Sequence, residues 1–170
     1  MSSSTYRRAI GGLDYSLVFP LSPAPFVDVT PDSARWQETP YAWEHLSQAG
    51  RADIEMPYAS ARYRGNGPGE TDRPYQQLTF SVTGQLREGV RLFGVSQNET
   101  PVEVFLDNRP HPIARLIGTG GYSYLKVVLL DVFGLRAGTH TLRLERVPGV
   151  YGAAVIAGAQ VFTYDSAYQP

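Results

Sequence analysis

The stretch that decides the fold contains VRLFGVSQNETPVEVFLDN (Val90–Asn108) and YSYLKVVLLDVFGLRAGTHTLRLERV (Tyr122–Val147). In the first part Val102, Val104 and Leu106 alternate with Glu103 and Phe105. In the second, His140, Leu142 and Leu144 alternate with Thr141, Arg143 and Glu145. A period of two places each set on one face of a strand, so both segments are read as half-buried β-strands. Asp107-Asn108-Arg109-Pro110 turns the chain between them, because Asp, Asn and Pro favour turns for local steric and hydrogen-bonding reasons.

The same texture extends outward. Leu78, Phe80 and Val82 oppose Thr79, Ser81 and Thr83, and Arg87–Val95 reads as the next strand. Tyr124–Leu130 is apolar on both faces, which predicts a central strand covered twice. Ala153–Tyr164 closes the pattern with Val155, Ile156, Val161 and Phe162, and Ala59–Arg64 alternates weakly before the loop Gly65-Asn66-Gly67-Pro68-Gly69. Gly138 is the expected site of a positive-φ turn, with Leu135 plugging the sandwich end. Roughly eight strands with short connections predict an all-β, two-sheet antiparallel β-sandwich, a jelly roll, over residues 41–170. One short helix is expected over Tyr41–Ala49, where Ala42, His45, Leu46 and Ala49 fall three or four apart and Gly50 supplies a stop.

Residues 1–40 read differently. Pro20, Pro23, Pro25, Pro31 and Pro40 interrupt regular structure, yet Tyr15, Leu17, Phe19, Leu21, Phe26 and Val27 are too apolar for a solvated tail. The segment is expected to be an extended arm lying on a surface, with Tyr15, Leu17, Phe19 and Phe26 as candidates for docking a partner. Asp28 and Asp32 precede Trp36, which is expected in a core or an interface.

Bulk properties narrow the chemistry. A chain of 170 residues suits one domain with its own core. It has no cysteine, which removes disulfides, thiol catalysis and cysteine-ligated metals. A net charge of −1 argues against an electrostatic nucleic-acid binder. Lys126 is the single lysine, and the arginine bias suits planar, multi-donor contacts. No apolar run approaches a membrane span, and no signal peptide is evident after Arg7 and Arg8, so synthesis in the cytoplasm without membrane insertion is expected.

The order Phe80-Ser81-Val82-Thr83-Gly84, Val90–Gly94, Val102–Asp107 and Gly134-Leu135-Arg136-Ala137-Gly138-Thr139-His140-Thr141-Leu142 resembles galactose-binding-like jelly rolls. Such domains are common among carbohydrate-binding modules and accessory domains of surface and virion proteins. The resemblance covers residues 77–164 and implies the fold and a binding role. The position after the strand-ending Asp, usually glycine in such domains, is Asn108 here, which tolerates the same left-handed turn.

No catalytic constellation emerges. Gly121-Tyr122-Ser123-Tyr124 lacks the second glycine of a nucleophile elbow and leads into a strand. Asp131 and Glu145 are a conceivable pair of glycosidase carboxylates, but nothing selects them over surface acids. His45, His111 and His140 lack metal-ligand spacing, and the glycine-rich loop lacks the lysine of a phosphate loop, so no metal and no cofactor is expected. His140 is expected to be a core or sheet-edge histidine and Asp107 a turn former.

These readings converge on a non-enzymatic structural or interaction subunit. Its expected setting is a virion, as a decoration or tail-associated protein, or another surface assembly. The arm would dock on protein neighbours or on a second copy in a homo-oligomer. The alternative is a glycan-binding module, with Trp43, Tyr122 and Tyr124 as candidates for stacking on sugar rings. A second alternative is an accessory domain of a multi-chain enzyme.

Overall fold

A computed structural model describes residues 7–10, 13–16, 19–40, 42–46, 60–63, 73–95, 102–116, 126–147 and 155–168. They form the strands β1 (Arg7–Ile10), β2 (Leu13–Ser16), β3 (Phe26–Val29), β4 (Trp36–Glu38), β5 (Trp43–Leu46), β6 (Ser60–Tyr63) and β7 (Tyr75–Val82). The remainder are β8 (Gly89–Val95), β9 (Val102–Leu106), β10 (Ala114–Leu116), β11 (Lys126–Phe133), β12 (Gly138–Arg146) and β13 (Val155–Phe162).

Two antiparallel sheets face each other. One runs β1-β2-β11-β8-β13-β6-β5, with β3 also paired to β13, and the other runs β10-β9-β12-β7-β4. The predicted β-sandwich is the fold observed. Strand parity builds the core as the alternation requires. Leu78, Phe80 and Val82 of β7, Val102, Val104 and Leu106 of β9, and Leu142 and Leu144 of β12 are buried, facing Val90, Leu92, Ile156 and Val161 of the other sheet. Leu135 is buried at the sandwich end. Gly138 adopts φ +135° with open space around it, so conformation and not crowding favours glycine there. At Gly158 both matter. Its φ is +106°, it sits at a register break in β13, and a Cβ would lie 2.7 Å from the Val29 carbonyl oxygen.

A buried carboxylate ties the sandwich end to the segment after its last strand. Glu88 is fully buried and accepts hydrogen bonds from the backbone N–H groups of Thr83, Gln85 and Tyr164 and from the hydroxyls of Thr83 and Thr163. Burial pushes its pKa up, but these donors, led by the Tyr164 N–H, bring it below the ordinary carboxylate value.

Three expectations change. Where a helix was expected over Tyr41–Ala49, Trp43–Leu46 is a strand paired with β6, Trp43 opposite Tyr63 and Glu44 opposite Arg62. Four residues can satisfy either period, and the available sheet partner decides. The β11 strand is less covered than its apolar sequence implies. It lies beside the peripheral β1–β2 pair, six of its eight residues are partly buried or exposed, and Val128 is 45% exposed. Residue 40 is not a boundary of the sheets, because β3 pairs with β13 and β4 with β7, Trp36 opposite Leu78. The prolines space these short strands and turns apart without detaching the segment.

Candidate functional site

The outward positions of the five-stranded sheet carry the site. With the even positions of β9 and β12 buried, Glu103, Phe105, Arg143 and Glu145 must point outward. Register places Arg115, Glu103, Glu145 and Tyr75 in one cross-strand row and Phe105, Arg143, Gln77 and Gln37 in the next. Beside them the β9–β10 loop rises as a wall. The result is a groove of about 560 Å³ lined by Arg73, Glu103, Phe105, Arg143 and Glu145 from the sheet side and by Asn108, Arg109, Pro110 and Pro112 from the loop.

The groove floor is an ion-pair network. Arg73 Nη1 donates to Glu103 Oε2 at 3.1 Å and to Glu145 Oε2 at 3.3 Å. Arg143 Nε donates to Glu145 Oε1 at 2.7 Å, and its guanidinium lies over the Tyr75 ring, 3.8 Å from the ring centre. The hydrogen bond to Glu103, then that to Glu145, raise the Arg73 pKa above the ordinary arginine value, so the cation is permanent. Both carboxylates are engaged by arginines. That is an arrangement for holding a shape, not one of an acid and a base flanking a scissile bond.

The wall is held by a partly buried charge pair. Asp107 and Asn108 adopt φ of +54° and +53°, the conformation of a type I′ turn. Asp107 Oδ1 accepts from the Thr141 N–H at 3.0 Å, and Oδ2 lies 2.8 Å from His140 Nδ1. His140 Nε2 lies 2.7 Å from the Arg136 carbonyl oxygen. Both ring nitrogens face acceptors, an arrangement that the doubly protonated imidazolium satisfies in full. Burial opposes that charge, but the Asp107 hydrogen bond and the Arg136 carbonyl raise the histidine pKa. Burial likewise opposes the Asp107 charge, and the bonds from His140 and Thr141 lower the aspartate pKa. His140 thus has a partner at each ring nitrogen, and Asp107 is both turn former and anchor.

The residues singled out from the sequence fall elsewhere. Trp43 is 7% exposed and donates from Nε1 to the Tyr75 carbonyl at 3.0 Å, so it is a core residue and offers no face to a sugar. Tyr122, Tyr124 and Leu17 lie outside the described residues. Tyr15 is in β2, opposite Arg8 of β1. Phe19 packs on this chain's own Phe133 and Phe162, with ring centres 5.3 and 5.2 Å away, and Arg91 covers it at 3.7 Å. Phe26, half exposed, leans on Phe162. Asp131 forms a two-pronged pair with Arg91 on the outer face of the larger sheet. It therefore stands across the sandwich from Glu145, and the two do not share a cleft. A smaller hollow of about 260 Å³ lies between the 31–34 turn, Trp36, Glu38 and His45. Among the described residues, no group of three or more His, Asp or Glu side chains is placed to hold a metal.

Comparison with known proteins supports the fold. No protein-family profile matches the chain, and no curated protein matches it in sequence. Among solved structures it is similar to a family two carbohydrate esterase from Cellvibrio japonicus, at a TM-score of 0.54 and 10% identity over 82% of this chain and 34% of that one. The chain thus spans about a third of the esterase's length. It is also similar to the CBM36-1 domain of a multidomain xylanase from the hindgut metagenome of Trinervitermes trinervoides. There the TM-score is 0.53 and the identity 16%, over 81% of this chain and 96% of that one. In fold the chain thus resembles the jelly-roll sandwich of the CBM36-1 domain.

Proposed function

We propose that this sandwich is a non-catalytic module that binds carbohydrate in the groove on its five-stranded sheet. The observation that carries the reading is the groove's composition: the ring of Phe105 stands beside planar polar groups whose orientation is fixed by the ion-pair network. Sugars combine apolar C–H faces with hydroxyls at set angles, and such a surface answers both. The CBM36 likeness is one of fold and agrees with this reading. The groove takes the place of the buried Trp43 as the proposed sugar platform, while Tyr122 and Tyr124 lie outside the described residues. The fold likeness favours this reading over the assembly-subunit expectation; of the residues expected to anchor a neighbour, Phe19 packs against its own chain.

The test is affinity electrophoresis of the full chain through gels containing neutral and acidic plant, algal and fungal polysaccharides. Retardation by at least one polymer is expected. Phe105→Ala should abolish it with the melting temperature nearly unchanged, because Phe105 is on the outward face. Unretarded migration in every gel would overturn the reading.

A further inference from the structure

We infer that the groove selects acidic carbohydrate, a chain bearing uronate carboxylates, and that Arg143 is the side chain that reads them. The inference rests on the carbohydrate-binding reading of the same groove and adds the class of sugar.

Arg143 is a prepared donor. One face of its guanidinium is spent on Tyr75 and its Nε on Glu145, and its side chain is 30% exposed. Among the described residues, Nη1 and Nη2 make no hydrogen bond. Two coplanar amino groups held in one orientation match the two oxygens of a carboxylate, the geometry that distinguishes arginine from lysine. Because the stack and the Nε bond already restrict the side chain, less rotamer entropy remains to be lost on binding.

The charges around it favour an anion. The groove is lined by the guanidinium groups of Arg73, Arg109 and Arg143 against the carboxylates of Glu103 and Glu145. Both carboxylates are compensated, since Arg73 bridges them and Arg143 holds Glu145 a second time. Arg115, exposed and directly cross-strand from Glu103, adds a further cation on the same face. A neutral sugar would use only the hydrogen-bonding capacity of the Arg143 fork; a uronate answers both its charge and its two-donor geometry.

The experiment compares the full chain's affinity, by titration calorimetry, for polygalacturonate, alginate and glucuronoxylan and for the carboxyl-reduced form of each. At least one acidic polymer is expected to bind about tenfold or more tighter than its reduced form, the range of a charged hydrogen-bonded contact. The gap should narrow at high salt. Arg143→Lys, which keeps the charge but loses the planar fork, should lose most of that discrimination. Arg109→Gln serves as the second variant, expected to weaken acidic polymers several-fold should Arg143→Lys fail to fold. If the reduced polymers bind as tightly as the acidic ones, the inference falls and the carbohydrate reading stands. Wild-type discrimination that survives in a folded Arg143→Lys chain would remove Arg143 as the reader. If no polymer binds in either form, both readings fall.

Discussion

The guanidinium of Arg143 lies over the ring of Tyr75, 3.8 Å from its centre, although the two residues are not directly paired. Register sets Arg143 opposite Gln77 and Glu145 opposite Tyr75, so the stack is a diagonal contact between β12 and β7. It draws the guanidinium toward β7, leaving Phe105, the partner of Arg143 on β9, on its other side. Tyr75→Leu keeps bulk and removes the π face. The expected loss in stability is about 0.5–1 kcal/mol, typical of an exposed cation–π contact. Affinity for the bound polysaccharide should fall several-fold, measured by calorimetry beside a melting curve. Unchanged affinity would show that the stack does not orient the guanidinium.

The His140–Asp107 pair makes stability depend on pH in a defined direction. The folded pKa of His140 is raised above its unfolded value of about 6.5, so its contribution is complete below that pH and is lost as pH rises through the folded value. The folded pKa of Asp107 is depressed, so its contribution is present above about 3.9 and lost as pH falls through the folded value. Melting temperatures of wild type and His140→Gln should differ most at mildly acidic pH and converge as the solution becomes alkaline. A gap constant across that range would mean that the imidazole is neutral in the folded chain.

Leu142 is fully buried in β12, opposite Leu78 on one side and Leu106 on the other. Leu142→Ala should cost about 2–5 kcal/mol, the range for truncating a buried leucine. Chemical denaturation measures it, and a shift below about 1 kcal/mol would place this strand face outside the core.

Glu88 is surrounded by donors, so even an isosteric amide is mismatched. Glu88→Gln replaces one acceptor oxygen with an amide NH2 that faces N–H and O–H donors. A loss of at least about 2 kcal/mol is expected, since each donor left unmatched costs about 1–3 kcal/mol. A denaturation midpoint equal to wild type would mean the site relaxes around the amide.

The strands with strict alternation were legible because no other period fits them; β7, β9 and β12 needed only their parity. Trp43–Leu46 was misread because its apolar spacing also suits a helix turn, and only pairing with β6 distinguishes the two. The groove was half visible. Glu103, Phe105, Arg143 and Glu145 stand out as charged or aromatic residues on outward parity, but nothing local says which strands are neighbours. That information resides in the register of Arg143 with Phe105, and in Arg73 reaching back from the start of β7. Trp43 drew attention as an aromatic residue on a presumed surface helix, and the strand that replaces the helix turns it inward.

The placement of Glu88 and β13 bears on how the chain comes to be folded at all. The β13 strand is flanked by β8 on one edge and by β3 and β6 on the other, so the larger sheet has no continuous middle without it. Two of the groups that satisfy Glu88, the Thr163 hydroxyl and the Tyr164 N–H, lie immediately beyond that strand. During synthesis the smaller sheet can pair as soon as β12 emerges, whereas the larger one waits, with a carboxylate still hydrated, for residue 164. Folding is therefore gated by the late arrival of a long-range partner, the circumstance in which β-rich chains fold slowly and expose their edges longest.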